Sequence, residues 1–101
     1  ASPEQPVYFN QLGITYRYQG QFAKARTAYE RAIELDANYA AAQLNLGILF
    51  DLYLRDSARA MESYERYMAL SGGKDATVAK WVTDLKNRKP PAAAAAKKEQ
   101  S

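Results

Sequence analysis

Tyr29-Glu30-Arg31 returns as Tyr64-Glu65-Arg66, Ala25 returns as Ala60 and Leu35 as Leu70, each thirty-five residues later. Upstream, Leu12-Gly13-Ile14 returns as Leu46-Gly47-Ile48 and Tyr16 as Phe50, but at a shift of thirty-four. The chain therefore holds two copies of one unit, and the change of shift places a one-residue insertion near Leu54-Arg55-Asp56. A period of this length is that of helical hairpins stacked into an array, in which each unit buries its apolar face only against a neighbour. The usual work of such arrays is to bind other proteins rather than to catalyse.

Working outward, Pro6 suits the first position of a helix that runs over Val7 to Gln19 and ends at Gly20. Phe22, Ala25, Tyr29, Ala32 and Ile33 recur at three- and four-residue steps and form the apolar face of a second helix reaching Leu35. A third helix, from about Tyr39 to Tyr53, is expected to bury Leu46, Leu49, Phe50 and Tyr53, with Gly47 admitting a neighbouring backbone. Asp56 or Ser57 caps a fourth helix that carries Ala60, Tyr64, Tyr67 and Met68 as far as Ser71, and Gly72-Gly73 stops it. Asp75 caps a fifth, with Val78, Trp81, Val82 and Leu85 at helical spacing. Pro90-Pro91 forbids a second arm to that hairpin, so the fifth helix reads as a cap over the open end of the array.

Phe9-x-x-Leu12-Gly13-x-x-Tyr16, followed by Ala25-x-x-x-Tyr29 and Ala32, resembles the tetratricopeptide repeat (TPR). The second copy keeps Leu46-Gly47-x-x-Phe50 and Ala60-x-x-x-Tyr64, with Gln43 for the leading aromatic and Tyr67 where the first has the small Ala32. Neither copy has the family's closing proline; Ala37 and Gly72 stand there. The resemblance covers roughly Pro6 to Leu70 and implies an all-α fold, a right-handed α-α superhelix of two TPR helical hairpins plus a capping fifth helix. The expected division is a leader or remnant of a preceding repeat over 1–5, repeats over 6–38 and 39–73, the cap over 74–89 and a disordered Ala/Pro/Lys tail over 90–101. Pro3 falls where the closing proline of a preceding repeat would come, which leads to the expectation of a longer array or of self-association through the first hairpin.

The same resemblance implies where a partner sits, since in this family the first helix of each hairpin lines the concave face. Its ligand positions fall on Asn10, Gln11, Ile14, Arg17 and Tyr18, then on Ala41, Leu44, Asn45, Ile48, Asp51 and Leu52, with Lys80, Thr83 and Asn87 offered by the cap. Spacing independently groups Asn10, Ile14, Arg17 and Tyr18 on one helical face, and Leu44, Ile48, Asp51 and Leu52 on another. The expected groove is therefore Asn10, Ile14, Arg17, Tyr18, Leu44, Asn45, Ile48, Asp51, Leu52 and Lys80. Its apolar members suit an amphipathic helix or an extended hydrophobic peptide; the competing structural reading packs Leu44, Ile48 and Leu52 against the cap. The family's clamp for the C-terminal carboxylate of chaperones uses Lys, Asn and Arg on successive first helices. Asn45 and Lys80 fit it in type, but Asn10 and Ile14 stand where its first Lys and Asn would be, so half of it is missing.

Composition excludes other classes. The 101 residues contain no Cys and no His, which removes disulfides, thiolate and imidazole metal sites and the commonest nucleophile and general base. Glu30-Arg31-Glu34 and Glu62-Glu65-Arg66 lie on amphipathic helices and read as solvated faces rather than acid/base pairs. No catalysis, cofactor or metal is expected. Of the formal charge of +3, the stretch after Leu85 carries +4, leaving nine basic against ten acidic residues before it. That near-neutral, interleaved pattern argues against nucleic acid, and no run is long enough for membrane insertion. The expected function is a scaffold or adaptor for a protein or peptide partner; the alternative is a structural terminal segment of a longer array, or a homo-oligomerisation module. The tail is similar in composition to bacterial envelope-associated repeat proteins, though a cytoplasmic adaptor would read the same way.

Overall fold

Pro6 takes the first position of α1 (Pro6–Tyr18), where its missing N–H would have had no partner within the helix. The structure, a computed structural model, describes residues 5–88. After α1 come α2 (Phe22–Leu35), α3 (Ala40–Ile48), a π-helical turn over Leu49–Tyr53, α4 (Ser57–Leu70) and α5 (Ala76–Asn87), with no strand among the described residues. The Asp56 and Asp75 carboxylates cap α4 and α5, accepting from the backbone N–H of Arg59 at 3.1 Å and of Val78 at 3.2 Å. Helices α1 and α2 pack as one hairpin and α3 and α4 as another, α2 lies against α3, and α5 packs on α4. This is the all-α hairpin repeat with a fifth helix at its end. The expectations resting on Pro3, on Pro90-Pro91 and on the Ala/Pro/Lys tail lie outside the described residues.

Glycine fixes how the two arms of each hairpin meet. A Cβ on Gly13 would stand 2.5 Å from Cε1 of Tyr29, and one on Gly47 would stand 2.6 Å from Cδ1 and Cε1 of Tyr64. Each tyrosine ring thus lies flat in the space that its glycine leaves, and Tyr29 and Tyr64 are 0% and 1% exposed. The neighbour admitted by Gly47 is therefore a ring, not the backbone expected from sequence. Ala25 and Ala60 are buried with these rings, Leu46, Leu49, Phe50, Val78 and Leu85 continue the core, and Ala32 is fully buried as well. Tyr67, too large to copy the buried Ala32, sends its hydroxyl to Asp75 at 2.7 Å and so ties α4 to the cap of α5. That bond, with the backbone bond from Val78, holds the Asp75 carboxyl below its ordinary range.

The odd residue of the second copy is taken up inside the third helix. In the first copy, the Gln21 N–H donates to the Tyr16 carbonyl at 2.9 Å across a left-handed Gly20, φ 78. The corresponding bond in the second copy runs from Asp56 N–H to the Phe50 carbonyl at 2.8 Å, one residue wider, across a left-handed Arg55, φ 55. The extra residue is absorbed by the π turn, where Leu54 N–H reaches back to the Leu49 carbonyl at 2.9 Å. The insertion thus sits a turn earlier than the Leu54-Arg55-Asp56 site expected from sequence. Widening the turn also rotates Tyr53 outward; expected in the core, it is 43% exposed.

Replacing Gly47 by Ala sets a methyl group against a ring that has no free volume to retreat into, so the expected loss is about 1–3 kcal/mol of unfolding free energy. Urea denaturation of Gly47→Ala would measure it. A variant as stable as the parent would show that the ring shifts at no cost.

Candidate partner-binding face

The first helices of the hairpins stand side by side, joined through their polar side chains. Asn45 Nδ2 donates to Asn10 Oδ1 at 2.9 Å, linking α3 to α1, and Asn10 is only 4% exposed. Asn10 is therefore part of the seam rather than of the open surface, while Asn45 is half-buried at its edge. Ile14, Leu44 and Ile48 are also half-buried and pack against the core. Lys80 is exposed on α5.

Asp51 is engaged inside the protein. Its Oδ2 accepts from the Tyr64 hydroxyl at 3.1 Å and its Oδ1 from Arg88 Nη1 at 3.0 Å, and its side chain is 8% exposed. The triad locks Arg88, at the C-cap of α5, to the π turn that follows α3, while Trp81 packs on Tyr64 with ring centroids 5.7 Å apart. Burial, then the Asp51 charge and hydrogen bond, raise the Tyr64 phenol far above its ordinary range. Arg88 is a member of this triad that sequence reasoning missed, since it entered only in the net charge of the stretch after Leu85. Opposite charges at equivalent repeat positions, Arg17 and Asp51, were the available signal.

At the other copy, Arg17 lies with Cζ 5.3 Å from the Tyr18 ring centroid and 6.0 Å from that of Tyr53. Tyr53 in turn packs on Phe22 at 4.9 Å. Tyr18, at the end of α1, is 81% exposed and Leu52, in the π turn, 60% exposed, so large apolar groups stand at the surface here and two of the rings, Tyr18 and Tyr53, flank one guanidinium. Beneath it, the Tyr29 hydroxyl is buried with no hydrogen-bond partner. Its pKa is raised by burial, against an opposing pull from Arg17.

A second apolar surface lies elsewhere. A groove of about 540 Å³ between α1 and α2 is lined by Phe9, Leu12, Tyr16, Ala23, Lys24, Thr27, Ala28 and Arg31, none of them among the ten residues expected for the partner groove. In the second hairpin, the repeat images of Leu12 and Tyr16 are Leu46 and Phe50, which are 7% and 4% exposed beneath α2. Arg26 of α2 lies over the Phe50 ring at 5.1 Å.

Residues 13–51 match the family model described as TPR repeat, a span from the first interlocking glycine to the buried aspartate. Repeats of this kind generally mediate protein–protein interaction and are typically non-catalytic scaffolds. Among the described residues no group of His, Cys, Asp or Glu could hold a metal ion, and no helix is long and apolar enough to cross a membrane.

The two tyrosine hydroxyls should respond oppositely to deletion. Tyr64→Phe strips a bond from a buried carboxylate and is expected to cost about 1.5–3 kcal/mol. Tyr29→Phe removes an unpartnered buried hydroxyl and should be neutral or stabilise by up to about 1 kcal/mol. Denaturant midpoints moving in the same direction by similar amounts would contradict the different hydrogen bonding of the two rings.

Proposed function

Since the chain belongs to the tetratricopeptide-repeat family, we propose that it is a non-catalytic interaction module holding a peptide or helix of a partner protein on the face made by α1, α3 and α5. In this reading the repeats run over 6–38 and 39–73, with the cap over 74–89. The observation that carries it is the exposure of Tyr18, Leu52 and Tyr53, at 81%, 60% and 43%, on the first helices and the turn that extends α3. Large apolar side chains gathered on a folded surface mark interaction sites, and tyrosine supplies contact area at low entropy cost. Ile14 and Ile48 form the half-buried floor, Asn45 gives an amide at its edge, and Lys80 adds a cation from the cap. Asn10 and Asp51 serve by holding the helices in place. Because the helices are locked beforehand, the partner bears most of the ordering entropy on docking.

A second reading is favoured by the partly exposed Leu12 and Tyr16, whose repeat images are covered by α2. The α1–α2 groove would then seat another helix as α2 sits on the second hairpin, supplied by a further repeat or a second copy. Light scattering of the purified chain reports the second-copy form, and a dimer abolished by Tyr16→Glu would favour it.

The partner-face reading is tested by capture from lysate of the native source, repeated with Leu52→Glu and Ile48→Glu proteins of unchanged helicity by circular dichroism. Leu52 is exposed, so its substitution leaves the core intact. Capture should weaken at least tenfold, about 1.4 kcal/mol. Undiminished capture by both variants would move the partner to another surface.

A further inference from the structure

The two copies of the unit differ in one triad. In the second, the Tyr64 hydroxyl and Arg88 both donate to Asp51, at 3.1 and 3.0 Å. A shift of thirty-four carries Asp51 onto Arg17, and a shift of thirty-five carries Tyr64 onto Tyr29 and Arg88 onto Tyr53. The first copy thus keeps the inner phenol, puts a base where the acid stood and a second phenol where the base stood. What has gone is the carboxylate. The Tyr29 hydroxyl is buried without a partner, and Arg17 makes no ion pair among the described residues, its guanidinium resting on two tyrosine rings.

We propose that this place is a carboxylate subsite of the partner-binding face: an acidic group of the partner binds Arg17 and accepts from the Tyr29 hydroxyl, restoring in trans the acid that Asp51 supplies within the second copy. The inference rests on the reading of that face as a peptide groove and names what one part of it selects. A guanidinium presents paired donors that match a carboxylate in plane and spacing. The Tyr18 and Tyr53 rings lie against the guanidinium and partly shield it, which strengthens the attraction over that of a fully hydrated charge. Arg17 is half-buried, so its guanidinium is reachable from solvent beside the buried Tyr29 hydroxyl. The hydroxyl gains a partner on binding, so part of the ligand's affinity comes from relieving an unsatisfied buried group. The donors differ from those of the chaperone-carboxylate clamp, whose first half Asn10 and Ile14 cannot make. A partner suited to this surface carries an acid beside apolar residues that cover Leu52 and Tyr53.

Titration of the isotopically labelled chain with sodium acetate, against sodium chloride at equal ionic strength, tests the subsite by nuclear magnetic resonance. Saturable shifts of the Arg17 Nε–H and Tyr29 ring signals are expected with acetate and not with chloride. Arg17→Gln should abolish the response, and Tyr29→Phe should raise the acetate dissociation constant several-fold while Arg17 still responds. Arg17→Asp, which restores the carboxylate of the second copy without its arginine, should abolish it and give the Tyr29 hydroxyl an internal partner, seen as slowed hydroxyl exchange. Equal shifts with chloride, or a full response from Arg17→Gln, would overturn the proposal. A peptide array varying Glu against Gln, and free against amidated C-termini, then separates a side-chain acid from a chain terminus. Silence toward acetate alongside partner capture that is still lost in Leu52→Glu would remove the subsite and leave the peptide face standing.

Discussion

Each hairpin is closed by a tyrosine ring lying where a glycine has no side chain, and the rest of the molecule is arranged around these two contacts. With the ring seated on Gly13 or Gly47, the arms approach closely enough for only alanine to fit beside it, which accounts for the burial of Ala25 and Ala60. The ring also has a direction. Its hydroxyl emerges one helical turn beyond the glycine, near the residue four positions on, Arg17 in one copy and Asp51 in the other. A packing constraint in the core therefore decides which side chain on the outer face meets a phenol, and it does so twice with opposite charges.

The extra residue of the second copy acts through the same geometry. A π turn accommodates it without shifting Phe50 from the core or moving the exit of the chain, which leaves through a left-handed residue in both copies. A non-glycine residue in that conformation costs about 1–2 kcal/mol, so Arg55 is a place where the fold tolerates strain to keep its register. The compensation is local exposure: Leu52 and Tyr53 turn toward solvent, Tyr53 beside Arg17 of the preceding hairpin. A small irregularity in one repeat thereby furnishes apolar surface for the face built by both.

Most of the fold was legible because it depends on period and on residues with one physical role. The repeat spacing, Pro6, Gly20, the capping aspartates and the paired glycines each constrain the backbone in one way, and the helices follow. The candidate face was legible only as a set of positions. Asn10 and Asp51 are polar and fall on the expected stripe, yet both are drawn inside, because Asn45 satisfies one and Tyr64 with Arg88 satisfies the other. Periodicity assigns a side chain to a face; it does not tell which neighbour reaches across to it. Tyr53 was misplaced for a related reason, since a helical repeat carried through Leu49–Tyr53 assumes 3.6 residues per turn where the chain adopts a wider one.

The difference between the copies separates two uses of one scaffold. Where Asp51 joins Tyr64 to Arg88, every charged and polar group of the triad is satisfied, and the result is a rigid junction between hairpin and cap. Where Arg17 replaces the acid, the same ring leaves a buried hydroxyl unsatisfied and a guanidinium held on aromatic faces at the surface. An unpaired buried donor costs about 1–3 kcal/mol, a burden that the bonded Asp51–Tyr64–Arg88 triad shows to be avoidable at this position of the repeat. A single acidic residue at position 17 would remove it. That the chain carries a base there instead leaves one unsatisfied phenol at the end of α1, beside the exposed Tyr18, while the Asp51 junction ties the second hairpin to the cap.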